Sequence, residues 1–267
     1  AKRNNHMNRS SLFWGAVLLL VGGLMLAGEM GIRLPNGSSL LSLFWPLLLI
    51  GFGVWVLLGV FMRKDVESEP ASVDLQNAHS ANVRINHGAG EFHLHSGASG
   101  NQLLQGTFTG GLDHRSNLNG DVLDVKLQPS ENRIMFPPFG WKEQLDWDVA
   151  FNATVPLSLN LNLGANKADI NLQDMTVTDI RLKSGASDTV LTLPSHGRLN
   201  LDCEIGAASL TIIVPDGVAI RARAAMGAGD FKVDRSRFPN NESPDFVSAQ
   251  NAVDINVKGG AASVRVK

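Results

Sequence analysis

The chain has 267 residues, 44% of them hydrophobic and 18% charged, with a formal net charge of −2. Only Lys2, Arg3, Arg9, Arg33 and Glu29 carry charge before position 63, so the acidic excess lies beyond it. That acidic remainder has no basic stretch to neutralise phosphates and excludes nucleic acid as a partner, while the single cysteine, Cys203, excludes an intrachain disulfide and a cysteine zinc site.

The first apolar segment, Leu12–Ala27, falls short of the roughly 20 residues that a spanning helix needs, and it crosses a bilayer if Gly28–Leu34 continues it. A signal peptide would share its basic start and small residues at Ala27–Gly28. A second apolar segment follows closely, however, and the pair reads as a membrane hairpin turning at Pro35-Asn36-Gly37-Ser38. The second segment, Leu40–Met62, carries no charge along its length; as a helix it rises about 34 Å, enough to cross the hydrocarbon core. Basic residues flank the hairpin at Lys2, Arg3 and Arg9 and at Arg63 and Lys64, with Arg33 between the spans. The positive-inside rule then places both ends in the cytoplasm. Residues 1–62 are therefore read as a basic tail and two spans, 63–71 as a linker, and 72–267 as the folded domain.

Beyond the linker the chain repeats. A Gly-Ala pair recurs at one constant interval at Gly164, Gly185, Gly206 and Gly227, with further copies at Gly88 and Gly260. Aligned on the glycine, the copies form apolar columns. Upstream of it, at equivalent positions, stand Val83, Leu159, Ile180, Leu201, Ala222 and Ile255; downstream stand Leu94, Ile170, Leu191, Ile212, Val233 and Val266. Within each copy the apolar positions alternate, as in a strand with one buried face. No copy can bury that face alone, so stacked copies must close a continuous core. The expected fold is all-β: a single-chain β-solenoid of about 21-residue rungs, two strands to a rung, stacked about 4.8 Å apart. An antiparallel sandwich ranks second because it does not require equivalent burial at a fixed period.

The period breaks twice. Between Gly227 and Gly260, Arg235–Phe246 is expected to project as a loop, and the last rung, ending at Lys267, is expected to form the uncapped end of the stack. Between Gly88 and Gly164, strands are expected around Leu103–Thr109, Asp121–Leu127 and Leu145–Val155. The segment Met135-Phe136-Pro137-Pro138-Phe139-Gly140-Trp141 interrupts them, and reads either as a lid or as a partner contact made by Phe136, Phe139 and Trp141.

Phe13-Trp14-Gly15 with its apolar run, and Phe44-Trp45-Pro46-Leu47-Leu48-Leu49-Ile50-Gly51, resemble the transmembrane region of LiaF-like bacterial envelope-stress proteins. The stretch from Ala153-Thr154-Val155-Pro156 to Gly260-Ala261-Ala262-Ser263-Val264 is similar to the toast-rack β-solenoid domains paired with that region. Gly88-Ala89-Gly90 and Gly227-Ala228-Gly229 keep the Gly-x-Gly corner common in such domains, while Asn166, Ser187, Ala208 and Ala262 depart from it. The resemblance implies a membrane-tethered regulator acting on a sensor kinase of the cell-envelope response.

Candidate chemistry is sparse. His93 and His95 alternate with Phe92 and Leu94 and so share an outward face, where His87 or Glu91 would have to supply a third zinc ligand. Cys203 falls in a core column. Asp146 and Asp148 flank Trp147 without a positioned base. No phosphate loop or nucleophile elbow occurs. The reading is a non-enzymatic binding protein of the cell membrane, without cofactor or metal, whose partners are the bilayer and a membrane or cytoplasmic protein. The alternative is a scaffold, a homo-oligomer formed by stacking solenoid ends.

Overall fold

The computed structural model describes residues 68–130 and 145–267, together with isolated helical residues of the N-terminal region: Gly15, Gly22, Gly23, Leu26, Leu49, Ile50, Gly51 and Gly53. Among the described residues no helix is long and apolar enough to cross a membrane. The continuous runs expected to span, Leu12–Ala27 and Leu40–Met62, lie outside the described residues apart from those isolated positions.

The folded domain consists of strands. They are β1 (Ser68–Asp74), β2 (Ser80–Ala98), β3 (Gln102–Thr109), β4 (Leu112–Asn119), β5 (Val122–Pro129), β6 (Trp147–Asn152), β7 (Leu157–Asn171), β8 (Val177–Ser184), β9 (Asp188–Thr192), β10 (Arg198–Ile205), β11 (Ser209–Ile213), β12 (Ala219–Val233) and β13 (Ala252–Val266). β1 begins inside the stretch read as linker, because Ser68–Asp74 finds an antiparallel partner in β3. The sequence pattern does not anticipate β4, a polar strand whose partner is β5.

The stacking is parallel and in register, as a solenoid requires and a sandwich does not. Val83 lies beside Leu159, Leu159 beside Ile180, Ile180 beside Leu201, Leu201 beside Ile255, and Ile255 beside Ala222. A second column runs Leu94, Ile170, Leu191, Ile212, Val266, Val233. All but Val233 are buried. Each fully buried aliphatic side chain contributes about 1.5–3 kcal/mol relative to exposure, and the columns join into one core running the length of the stack.

Each rung has two arms meeting at the Gly-Ala corner. β8 and β9 are separate strands on either side of Gly185, as are β10 and β11 around Gly206, whereas β2, β7, β12 and β13 bend through the corner without a break. The glycines stack on one another. A Cβ added to Gly206 would sit 2.6 Å from the carbonyl oxygen of Gly185 in the neighbouring rung. At Gly164 and Gly206 the corner backbones therefore approach too closely for any side chain. The two Gly-Ala-Gly corners also need their second glycine, since Gly90 and Gly229 have φ of 137° and 134°.

The order of the rungs departs from the order of the sequence. β13 pairs with β10 and β11 on one side and with β12 on the other, so the last strand lies inside the stack and β12 is its end. This corrects the expectation that the rung ending at Lys267 terminates the solenoid. The first arms differ in size: β13 brings Ile255 and Val257 to the core columns where β12 brings Ala222 and Ala224. The interior position gives the larger set neighbours on both sides.

Residues 235–246 do not project, which corrects the second expectation. Phe238 and Phe246 are buried, and Arg221 lies 4.3 Å from the centroid of the Phe246 ring. Ser243 hydrogen-bonds β12 twice, its N–H donating to the carbonyl of Ile220 (2.8 Å) and its Oγ accepting from the Ile220 N–H (2.9 Å). The segment needs these contacts because it carries the chain around the outside of β12 and back to β13.

At the opposite end the period gives way to two strands still parallel to β2, β5 and β6, followed by antiparallel ones. β5 stacks on the first arm of β2, with β4 beyond it, while β6, β3 and β1 follow the second arm. Trp147, Phe108 and Phe151 fill the core there, and Trp147 meets Phe108 edge-on at 5.1 Å.

Ile212→Asp should therefore lower stability by several kcal/mol, since it places an unpaired charge in a column buried on all sides. The exposed change Asn171→Asp should stay within about half a kcal/mol. Urea melts of the two variants, followed by circular dichroism, check this expectation; equal midpoints would contradict the column assignment.

Candidate functional site

Polar side chains group on the second arm of β2 and on β6. Alternation along β2 sends Phe92 and Leu94 into the core and Glu91, His93 and His95 outward. β6 does the same with Trp147 inward and Asp148 outward. The His95 ring lies 2.8 Å through Nε2 from Asp148 Oδ1 and 2.7 Å through Nδ1 from the carbonyl of Ser96. His93 Nε2 lies 3.7 Å from Glu91 Oε2, and Asp146 Oδ1 accepts the Glu91 backbone N–H at 3.2 Å. The histidines are thus each engaged by a neighbouring carboxylate on an open surface. Among the described residues no three His, Cys, Asp or Glu side chains converge as metal ligands.

His87 does not join them. The same alternation places it on the face of Val83 and Ile85, and it is 3% exposed. Its Nε2–H donates to the carbonyl of Leu145 at 2.7 Å, and its Nδ1 accepts from the amide of Asn166. The ring packs 5.1 Å from Trp147 and 5.4 Å from Phe92. The suggested third zinc ligand is therefore a core residue facing away from His93 and His95. Its role is to hold Leu145, where the chain re-enters the solenoid: the N–H of Leu145 also donates to the carbonyl of Ala89 at 3.0 Å. Gly90 leaves room for that re-entry, since a Cβ there would meet the Leu145 backbone at 2.5 Å.

Phe136, Phe139 and Trp141, the expected partner contact, lie outside the described residues, so the structure brings only the end of their segment, at Leu145, against the corner of β2. Asp146 and Asp148 belong to the histidine surface and are exposed, Asp146 just before β6 and Asp148 within it. Cys203 is 2% exposed in its column, and burial pushes its thiol up to about 12, which keeps it protonated and unreactive. A polar line runs along the inside of the corner, Ser184 to Ser187 and Ser187 to Thr189, linked through their hydroxyls. Departures from Gly-x-Gly at Asn166 and Ser187 thus place buried hydrogen-bonding groups where a second glycine would stand. The surface offers contacts and the interior offers packing; among the described residues no nucleophile is set beside a base in a cleft.

Burial lowers the His87 pKa to about 4, outweighing the Leu145 carbonyl and the Asp146 charge, which favour the proton. The folded state therefore binds less proton than the unfolded chain. Stability from this group is fully present above its ordinary value of 6.5 and declines as pH falls toward about 4. The loss should reach about 3 kcal/mol. His87→Gln should flatten the dependence of the urea midpoint between those two pH values; an unchanged slope would contradict the assignment.

Comparison with known proteins agrees with this architecture. The family model of the N-terminal domain of toast_rack, DUF2154, matches residues 62–213, and that of the LiaI-LiaF-like transmembrane region matches residues 12–57. A candidate cell adhesion protein from Clostridium sporogenes ATCC 15579 has a similar fold, with a TM-score of 0.63 at 15% identity over 75% of this chain and 98% of its own. A candidate adhesin from Bacteroides fragilis NCTC 9343 aligns over 75% of this chain and 97% of its own, at a TM-score of 0.32 and 8% identity. No curated protein matches the chain.

Proposed function

The chain belongs to the toast_rack N-terminal domain family, and on that premise we propose that it is a membrane-tethered, non-enzymatic regulator that binds and modulates a sensor of cell-envelope stress. The observation that carries the reading is the succession of a LiaI-LiaF-like transmembrane region and a toast-rack domain in one chain. Neither family is an enzymatic one. The spans hold the protein in the membrane as a hairpin, and the solenoid, on the cytoplasmic side, presents rigid outer faces and one interrupting segment to a partner. Phe136, Phe139 and Trp141 supply the contact, because large aromatic anchors commonly dominate protein interfaces.

Affinity capture of the full chain from detergent-solubilised membranes should recover a membrane sensor kinase. Phe139→Ser with Trp141→Ser should lose that kinase while leaving the melting curve unchanged. His93→Ala with His95→Ala should retain it. Recovery of no kinase by the wild-type chain, or an envelope response unaltered when the protein is removed, would overturn the regulatory reading. A reporter active only outside the membrane, fused after Lys267, should be silent.

A further inference from the structure

A solenoid rung is finished only when another rung lies on each side of it, and β12 has one neighbour, β13. The difference is visible in matched columns. Ile255, Val257, Val264 and Val266 of β13 are each at most 2% exposed. Of their counterparts in β12, Ala224 is exposed and Phe231 and Val233 are half-buried, as is Met226 at the corner. The return segment covers the free edge of β12 only at its start, through Ser243 on Ile220 and the bridge between Arg221 and Glu242. From Ala222 to Val233 the outer edge of the strand has no backbone partner among the described residues.

The other end of the solenoid is guarded differently. β1 carries Pro70, and β4 presents exposed His114, Arg115 and Asn117. Proline and outward charge are devices that keep sheet edges from pairing. β12 carries outward charge as well, at Arg223, Asp230 and Lys232, but it has no proline, and its core-facing positions, Ala222, Ala224, Met226, Phe231 and Val233, are uncharged.

We propose that this edge is a homodimer interface, with β12 of one copy pairing antiparallel with β12 of a second about the Gly227-Ala228 corner. An isologous contact requires that residue i meet j wherever j meets i. The open window, Ala222–Val233, is centred on that corner, extending equally far on either side of the Gly227-Ala228 pair. Such pairing places Ala222 against Val233, Ala224 against Phe231, and Met226 against Gly229, so each large side chain meets a small one. Core-facing residues meet core-facing residues because the alternation slips by one position at the corner: Ala224 and Phe231 both occupy inward columns although an odd interval separates them. The one like-charged pair, Arg223 with Lys232, is already neutralised within each chain. Arg223 donates to both oxygens of Asp254 at 2.7 and 2.9 Å, and Lys232 to Asp230 at 3.0 Å. The occupant is thus a second copy, chosen by the size complementarity of the strand with itself and by the symmetry of its open window. The proposal stands independently of the regulatory reading.

The test uses the full chain in detergent. Light scattering combined with size separation should give twice the chain mass for the protein component. Ala224→Lys, a change at a position exposed in the single copy, should halve that mass while leaving the circular dichroism spectrum unchanged. Two separately tagged chains in a Cys203→Ala background, one carrying Ala225→Cys and the other Asp230→Cys, should cross-link to each other under mild oxidation, and neither should cross-link to itself. A monomeric wild-type chain overturns the proposal. So does a dimer that survives Ala224→Lys, or one whose cross-links favour like with like.

Discussion

The structure depends on the distance between rungs. Parallel strands in register lie about 4.8 Å apart, and at the corner this spacing brings the backbone of one rung against the carbonyl of the next. At Gly164 and Gly206 only glycine leaves room there, before any question of turn type arises. The rest follows from that column. Because the corners stack, the arms stack; because the arms stack, equivalent residues must share one burial state. The alternation of apolar and polar side chains then becomes a property of the whole sheet and not of a single strand.

The same registration organises the outer faces. Side chains one rung apart meet as ladders: Asn82 with Asp124, Asn86 with Asn162, and Asn256 with both Asp202 and Arg223. Such rungs are mutually satisfied and largely uniform along the stack. Distinctive chemistry is left to the places where the repeat is broken or ends, which is where the aromatic segment and the open edge of β12 are found. A protein that recognises others through such a scaffold needs no cleft.

The columns were legible in the sequence because register depends only on the spacing of the glycines, and that spacing is constant from Gly164 to Gly227. Rung order was not, because a period says which residues are equivalent and not which copies are neighbours. The interval from Gly227 to Gly260 exceeds the others by the length of Arg235–Phe246, enough chain to pass around one rung and enter beneath it. His87 was legible in principle, since it continues the Val83, Ile85 alternation; its pairing with Asn166 was not, because it joins distant residues whose types suggest no core role. The aromatic pair Phe238 and Phe246 was the available sign that the return segment packs down instead of projecting. β4 gave no sign at all, being polar nearly throughout.

The position of β13 has a consequence for the order of synthesis. β12 leaves the ribosome ahead of the strand that separates it from β10, and its corner follows that of β10 by the same interval that sets the stacking steps from Gly164 to Gly206. Until β13 emerges, the slot above β10 and β11 is open and β12 meets its register. The nascent domain can therefore close with the wrong rung in place, and the native order then requires β12 to yield that slot to β13. The family match ends at residue 213, the last residue of β11, so this exchange belongs to the part of the chain that the shared domain does not include. The strand that locks the stack is thus made after the strand it covers, and until β13 is available the place beside β10 and β11 has no settled occupant.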